Sequence, residues 1–163
     1  MDLNFLKKIP LFKELDNEEL MLVSKCLHHT KFKEGEYLFN ENEKGDELFI
    51  LYKGKVEISK KMTLIEEQNK VDKTLIVLDA DMHVFFGEIG LLGYKRRTAS
   101  AYGKTDCELY KMNQQDFTNI CDKHPQIGVK ILLQICLKLS NLLEKTDSDI
   151  LKLTTALIYA LRH

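Results

Sequence analysis

Seven of the eight glycines stand at positions 35, 45, 54, 87, 90, 93 and 103, so the turns of this chain are concentrated in its middle. Between them lie short apolar or alternating runs: Tyr37–Phe39, Leu48–Tyr52, Lys55–Ser59 and Leu75–Leu78, then Thr98–Tyr102 and Glu108–Met112. Runs of this length, closed by turn residues and rich in β-branched and aromatic side chains, read as strands. Many of them at close spacing predict a sandwich or barrel, not a βαβ sheet. Lys60 to Lys73 is polar and charged, which fits a hairpin tip facing water.

The flanks have a different period. Between Pro10 and His29, Leu11, Phe12, Leu15, Leu20, Leu22, Val23 and Leu27 recur mostly at three- and four-residue spacing. Asp16 followed by Glu19 is an N-cap with its capping-box partner, which predicts a helix over 17–27. After Asn113 a short helix is expected over 116–123, broken by His124-Pro125, and a long one from about 126 to 161. Its stripe of Leu132, Ile135, Leu139, Leu142, Thr146, Ile150, Leu153, Leu157 and Leu161 runs near 3.5-residue spacing. Such a stripe is longer than one small core covers, so part of it is expected to meet a second subunit. The alternative is a helix folded back wholly onto its own barrel.

Lys and Arg total 24 against 25 Asp and Glu, a net charge of −1, and the chain is 44% hydrophobic. That composition is too apolar for a disordered chain. Near-neutral charge lacks the footprint of a nucleic-acid binder, whose affinity comes largely from phosphate neutralisation. No uninterrupted apolar run of about 18 residues appears and the N-terminus lacks a leader pattern, so no membrane partner is expected. Cys26, Cys107, Cys121 and Cys136 have no metal-ligand spacing and make no disulfide framework. They fit a reduced, cytoplasmic protein in which each is a small buried apolar side chain.

The stretch Phe86-Gly-Glu-Ile-Gly-Leu-Leu-Gly-Tyr-Lys-Arg-Arg-Thr-Ala-Ser-Ala101 holds the ingredients of a phosphate site. Gly87 has no Cβ, so a ligand can approach its backbone. Ile89, Leu91 and Leu92 suit one helical turn, whose first N–H groups attract an anion. Arg97 supplies a planar donor fork that can grip two phosphate oxygens. Glu88 is out of place beside an anion unless the guest also carries a hydroxyl that donates to it. A ribose 2′-OH next to a cyclic 3′,5′-phosphate meets both demands, and a deoxyribose would leave the carboxylate unpaired. Taken singly, Arg97 could be a structural ion pair, even with Glu88. Likewise Glu88 could serve a helix dipole, Gly87 a turn and Thr98 a strand.

This run resembles the phosphate-binding cassette of the cyclic nucleotide-binding domain family, F-G-E-[LI]-[AG]-L, a spacer, then R-[AST]-A. Here it stands as Phe86-Gly87-Glu88-Ile89-Gly90-Leu91 and Arg97-Thr98-Ala99. Ile9 to Leu15, Gly35 to Phe39 and Leu48 to Val56 resemble that family's opening helix, first strands and central strand pair. The resemblance implies a mainly β fold with flanking helices: an antiparallel β jelly roll (a double-stranded β-helix) with N-terminal helices and a long C-terminal lid or dimerisation helix. One domain over 1–163 is expected, with helices to 30, the roll over 31–112 with its cassette at 86–101, and helices over 113–163. It further implies ligand contacts from Phe86, Gly87, Glu88, Ile89, Gly90, Arg97, Thr98 and Ala99. Glu88 would take the ribose hydroxyl, Arg97 the phosphate, and Thr98 the phosphate or the base.

Three positions depart from the family pattern. Arg96 replaces a proline, His83-Val84 replaces a Gly-Asp turn and puts a left-handed turn there in doubt, and Asn42 replaces a glycine, a milder change because Asn tolerates positive φ. His28, His29 and His83 have no metal spacing, and no nucleophile–base pair, paired acids or P-loop is present. No metal, no cofactor beyond the nucleotide and no catalysis are therefore expected. Residues 151–163 leave no room for a helix-turn-helix, so the chain reads as a free-standing sensor acting on an effector protein or through its own homodimer. Asn141, Lys145 and Thr146 are candidate base contacts from the long helix. cAMP is favoured over cGMP, although Thr98 suits either. The competing readings are an assembly module with an unused pocket and a haem-type sensor of the same superfamily.

Overall fold

The computed structural model describes residues 2–63, 70–93 and 95–161. The N-terminal part holds α1 (Leu3–Lys8), a 3₁₀ turn (Pro10–Phe12) and α2 (Asn17–Ser24). The capping box is formed: Asp16 Oδ1 accepts from the Glu19 amide and Glu19 Oε2 from the Asp16 amide, both at 2.9 Å. Helix α2 stops at Ser24, not Leu27, because the chain tightens into a turn with the Cys26 amide on the Val23 carbonyl. It then enters β1 (His28–Phe32), so the first strand begins inside the stretch expected to be helical.

Nine further strands follow: β2 (Tyr37–Phe39), β3 (Lys44–Gly45), β4 (Glu47–Lys53), β5 (Lys55–Thr63), β6 (Lys70–Asp79), β7 (Phe85–Phe86), β8 (Lys95–Arg96), β9 (Ser100–Gly103) and β10 (Cys107–Asn113). One sheet runs β1-β10-β4-β7 and the other β2-β9-β5-β6, with β3 and β8 as a separate small ladder. Every pairing is antiparallel. This is the jelly-roll architecture with flanking helices. The hairpin expected over 60–73 is present as the β5–β6 pair, extending to Thr63 opposite Lys70; residues 64–69 lie outside the described residues.

The unbroken apolar run Leu48–Leu51 follows from β4 being covered on both faces. Leu48 and Ile50 point to a core shared with α1, α2 and the C-terminal helices, while Phe49 and Leu51 point into the roll with Phe39, Val56 and Leu109. The pair Phe85 and Phe86 divides in the same way, Phe85 to the helical core and Phe86 to the roll. Strand β7 therefore lies on the boundary between two cores, and the residues that follow it start from there.

Two helices close the chain, α4 (Gln114–Lys123) and α5 (Pro125–Leu161). Ile127, Gly128, Ile131 and Ile135 of α5 are buried, and Leu132 and Leu139 pack at the margin of the helical core. Beyond them Leu142, Ile150, Leu153, Leu157 and Leu161 are 53–78% exposed. A helix folded wholly onto its own barrel is thus excluded: one end docks and the other stands clear. Cys107 is buried, Cys26 and Cys121 are half-buried and Cys136 is exposed, which corrects the expectation of four buried cysteines. Helix α5 is also long and apolar enough, by length and composition alone, to cross a membrane, which corrects the reading that no segment is.

Candidate functional site

Three local pieces build the cassette. Strand β7 pairs with β4, placing Phe86 opposite Phe49 and Phe85 opposite Ile50. Gly87 then turns the chain at φ 79°, a left-handed conformation that a side chain would strain, and α3 (Glu88–Leu91) makes a single turn. Strand β8 returns against β3, with Arg96 opposite Lys44. The Arg97 amide donates to the Glu43 carbonyl and the Asn42 amide to the Arg97 carbonyl, both at 2.8 Å. The turn at 40–45 therefore fixes the backbone from which Arg97 projects.

Arg97 points into the molecule and is only 6% exposed. Its guanidinium lies 4.3 Å over the Phe39 ring and 5.6 Å from that of Phe49, which itself stacks on Phe86. Nη1 donates to the Glu47 carbonyl at 2.8 Å and to the Gly87 carbonyl at 3.4 Å. Nε is buried and has no partner among the described residues. Carbonyl acceptors hold a cation in place without cancelling its charge, and among the described residues no carboxylate forms an ion pair with Arg97. Burial pulls the guanidinium's pKa down from its ordinary value, while the charges of Glu47, Asp46 and Glu43 oppose that shift.

Three glycines make room for this side chain. A Cβ on Gly45 would overlap Arg97 Nε, one on Gly90 would stand 2.8 Å from Nη1, and one on Gly87 3.0 Å from it. The site is therefore a slot floored by aromatic rings, walled by backbone, and carrying one positive charge with an unused donor. An unpaired buried donor costs about 1–3 kcal/mol.

Glu88 is also 6% exposed but has a different partner. Its Oε2 accepts from Lys138 Nζ of α5 at 2.9 Å. The same ammonium donates to the Phe85 carbonyl at 2.7 Å and sits 4.2 Å over the Phe85 ring. Arg97 and Glu88 thus do not neutralise each other. One is held on the side of the roll and the other on the side of the helix.

The remaining expected residues are placed as follows. Phe86 is buried in the roll as part of the aromatic floor, Ile89 and Ala99 are half-buried, and Gly90 is buried against Arg97. Thr98 is exposed. Asn141, Lys145 and Thr146 are exposed on the clear part of α5, and the Thr146 hydroxyl donates to its own helix at Leu142. Arg96 is exposed and donates from Nη1 to the Asn42 carbonyl. The doubt over a left-handed turn at His83-Val84 is removed: His83 adopts φ 52°, ψ 50°, its Nδ1 2.8 Å from the Asp81 carbonyl oxygen. Asn42 takes φ 68° as its amide side chain allows. His28 pairs with Asp116 and His29 with Glu108.

Gly45, Phe39 and Lys138 were not singled out from the sequence. Lys138 carried a signal: it falls on the packed face, seven residues from Ile131 and three from Ile135, where a charge needs a partner. Gly45 carried none, since its role depends on a side chain 52 residues away.

The sequence model described as "Cyclic nucleotide-binding domain" matches residues 29–124. The cGMP-dependent protein kinase, isozyme 2 forms cD5/T2, of Drosophila melanogaster is 34% identical over 97 residues, covering 60% of this chain and 10% of the kinase. The cAMP-dependent protein kinase regulatory subunit of Emericella nidulans is 32% identical over 116 residues, covering 71% of this chain and 26% of that protein. The chain thus spans about a quarter or less of these relatives. The crystal structure of the Thermus thermophilus catabolite activator protein superposes with a TM-score of 0.77 at 24% identity, over 89% of this chain and 63% of that one, a likeness of fold. With well over half of its length matched, this chain belongs to the cyclic nucleotide-binding domain family.

Proposed function

We propose that the chain is a cyclic nucleotide sensor whose cassette binds the ligand's phosphate at Arg97 and its ribose 2′-OH at Glu88. The observation that carries this reading is the buried Arg97 guanidinium with its unpartnered Nε in a slot of three glycines. A cation so placed is matched by a small anion, and a carboxylate one residue after Gly87 by a hydroxyl donor. The backbone of Gly87, Ile89 and Gly90 and the side chains of Thr98 and Ala99 line the guest, and Phe86 acts beneath it as floor. cAMP is the favoured ligand over cGMP, and no single residue of the site decides between them. The chain needs no metal or further cofactor for this and carries out no reaction itself.

The signal leaves through α5. Asn141, Lys145 and Thr146 reach the base only once α5 closes further, so ligand and helix position are linked by contacts made in one state and not the other. The exposed Leu142–Leu161 surface pairs with a second copy, and the effector is read out through that homodimer or by a separate protein. The same surface favours the second reading, an assembly module that uses the helix and leaves the slot empty.

Titration calorimetry of cAMP and cGMP against the protein and Arg97→Ala separates the two. Arg97→Ala is expected to lose about 2–5 kcal/mol of binding, the usual result of removing one partner from a buried charge pair. Unchanged affinity in that variant, or no binding to the parent protein, defeats the sensor reading.

A further inference from the structure

We infer that Lys138 is a positioning residue of the nucleotide site, which ties the place of α5 to the carboxylate that reads the ribose. The inference rests on the cassette reading above and adds a residue and a linkage to it. Lys138 is the residue by which α5 makes a polar contact with the cassette. Its ammonium bridges the Glu88 carboxylate, 2.9 Å away, and the Phe85 carbonyl, 2.7 Å away, and it rests over the Phe85 ring. Its side chain is 35% exposed, against 8% for that of Glu88.

A carboxylate buried to that degree needs a counter-charge or hydrogen-bond donors to remain ionised and aimed. Lys138 supplies both at Oε2, and in the proposed complex Oε1 takes the hydroxyl of the guest. The neighbours on the packed face, Ile131 and Ile135, are fully buried and hold the helix without directing Glu88. Lys138 therefore links the position of α5 to the ribose-reading group by a direct ion pair, beside the apolar packing of Ile131 and Ile135 in the core that also holds Phe85 and Leu91. Ligand discrimination at the 2′-position and the docking of α5 are accordingly two readings of one ion pair.

The test compares the protein with Lys138→Met and Lys138→Arg. Calorimetry is run with cAMP, cGMP and their 2′-deoxy analogues, and amide hydrogen exchange of α5 is followed without ligand. A hydrogen bond to a charged group is worth about 1.5–3 kcal/mol, so the parent protein is expected to prefer the ribo form by at least about 10-fold. Lys138→Met is expected to shrink that preference to about 3-fold or less, and Lys138→Arg to retain most of it. If Lys138→Met weakens ribo and deoxy ligands equally, Lys138 merely supports the fold and the inference fails. In the ligand-free protein, Lys138→Met is expected to speed exchange over residues 131–139 by about 10-fold as local opening becomes easier, and unchanged exchange refutes the tether. A parent protein that binds none of the four nucleotides overturns the sensor reading, while the exchange experiment still decides the tether.

Discussion

Gly45 and Arg97 share one space: the guanidinium lies where a Cβ of residue 45 would stand. Gly45→Ala therefore evicts the arginine without touching its charge. Nucleotide affinity is expected to fall about 10-fold or more, with a stability loss of about 1–3 kcal/mol from overpacking. Gly35→Ala is the control, since its Cβ would meet nothing and only the positive φ of 80° is strained. That variant is expected to lose about 1–2 kcal/mol in urea unfolding and no affinity in calorimetry.

Ile135 and Leu157 lie on one helix in opposite surroundings, 0% and 59% exposed. Ile135→Ala is expected to cost about 2–5 kcal/mol through lost burial and the cavity it leaves. Leu157→Ala is expected to change the stability of the isolated chain by no more than about 0.5 kcal/mol. Denaturant unfolding at low protein concentration measures both.

If the clear part of α5 pairs with a second copy, Leu153→Glu with Leu157→Glu breaks the pair by placing carboxylates in an apolar seam. Sedimentation velocity is expected to show a concentration-dependent dimer for the parent protein and a monomer for the double variant. A parent protein that is monomeric at the highest workable concentration refutes the homodimer.

Glu57 sets part of the acid limit. The Thr74 hydroxyl, and after it the Lys104 ammonium, hold its carboxyl below the ordinary value of 4.5. A carboxyl with a depressed folded-state pKa contributes stability above its unfolded value and loses it as pH falls through the folded value. Glu57→Gln is therefore expected to flatten the decline of stability below about pH 4.5 and to leave Asp79, Asp106 and Glu108, also depressed, as further contributors. Chemical denaturation between pH 3 and pH 7, pH values chosen to bracket about 4.5, reads the difference as a shallower slope.

What the sequence disclosed was whatever rests on local chemistry. The capping box of Asp16 and Glu19, the bounds of β2 and the Gly87 turn into one helical turn all appear where their residues predicted. Strand β1 was missed because His28–Phe32 lies at a sheet edge with no fully buried residue and opens on two exposed histidines, so its alternation is shallow and begins only at Thr30. The two-residue strands β3, β7 and β8 are too short to have a period at all. His83 took a left-handed turn without a glycine because its ring nitrogen lies within hydrogen-bond distance of the Asp81 carbonyl. The Arg97 slot is divided among residues 39, 45, 49, 87 and 90, and only folding brings them together.

Helix α5 runs without interruption from Pro125 to Leu161, so its docked base and its clear end move as one rod. At about 1.5 Å per residue, the part beyond residue 139 is a lever arm of about 33 Å. A pivot of about 5° at Lys138 would sweep its tip by about 3 Å, enough to shift a side chain from one socket to the next. A ligand that adjusts a single carboxylate could thus be felt about 33 Å away, at the tip of α5.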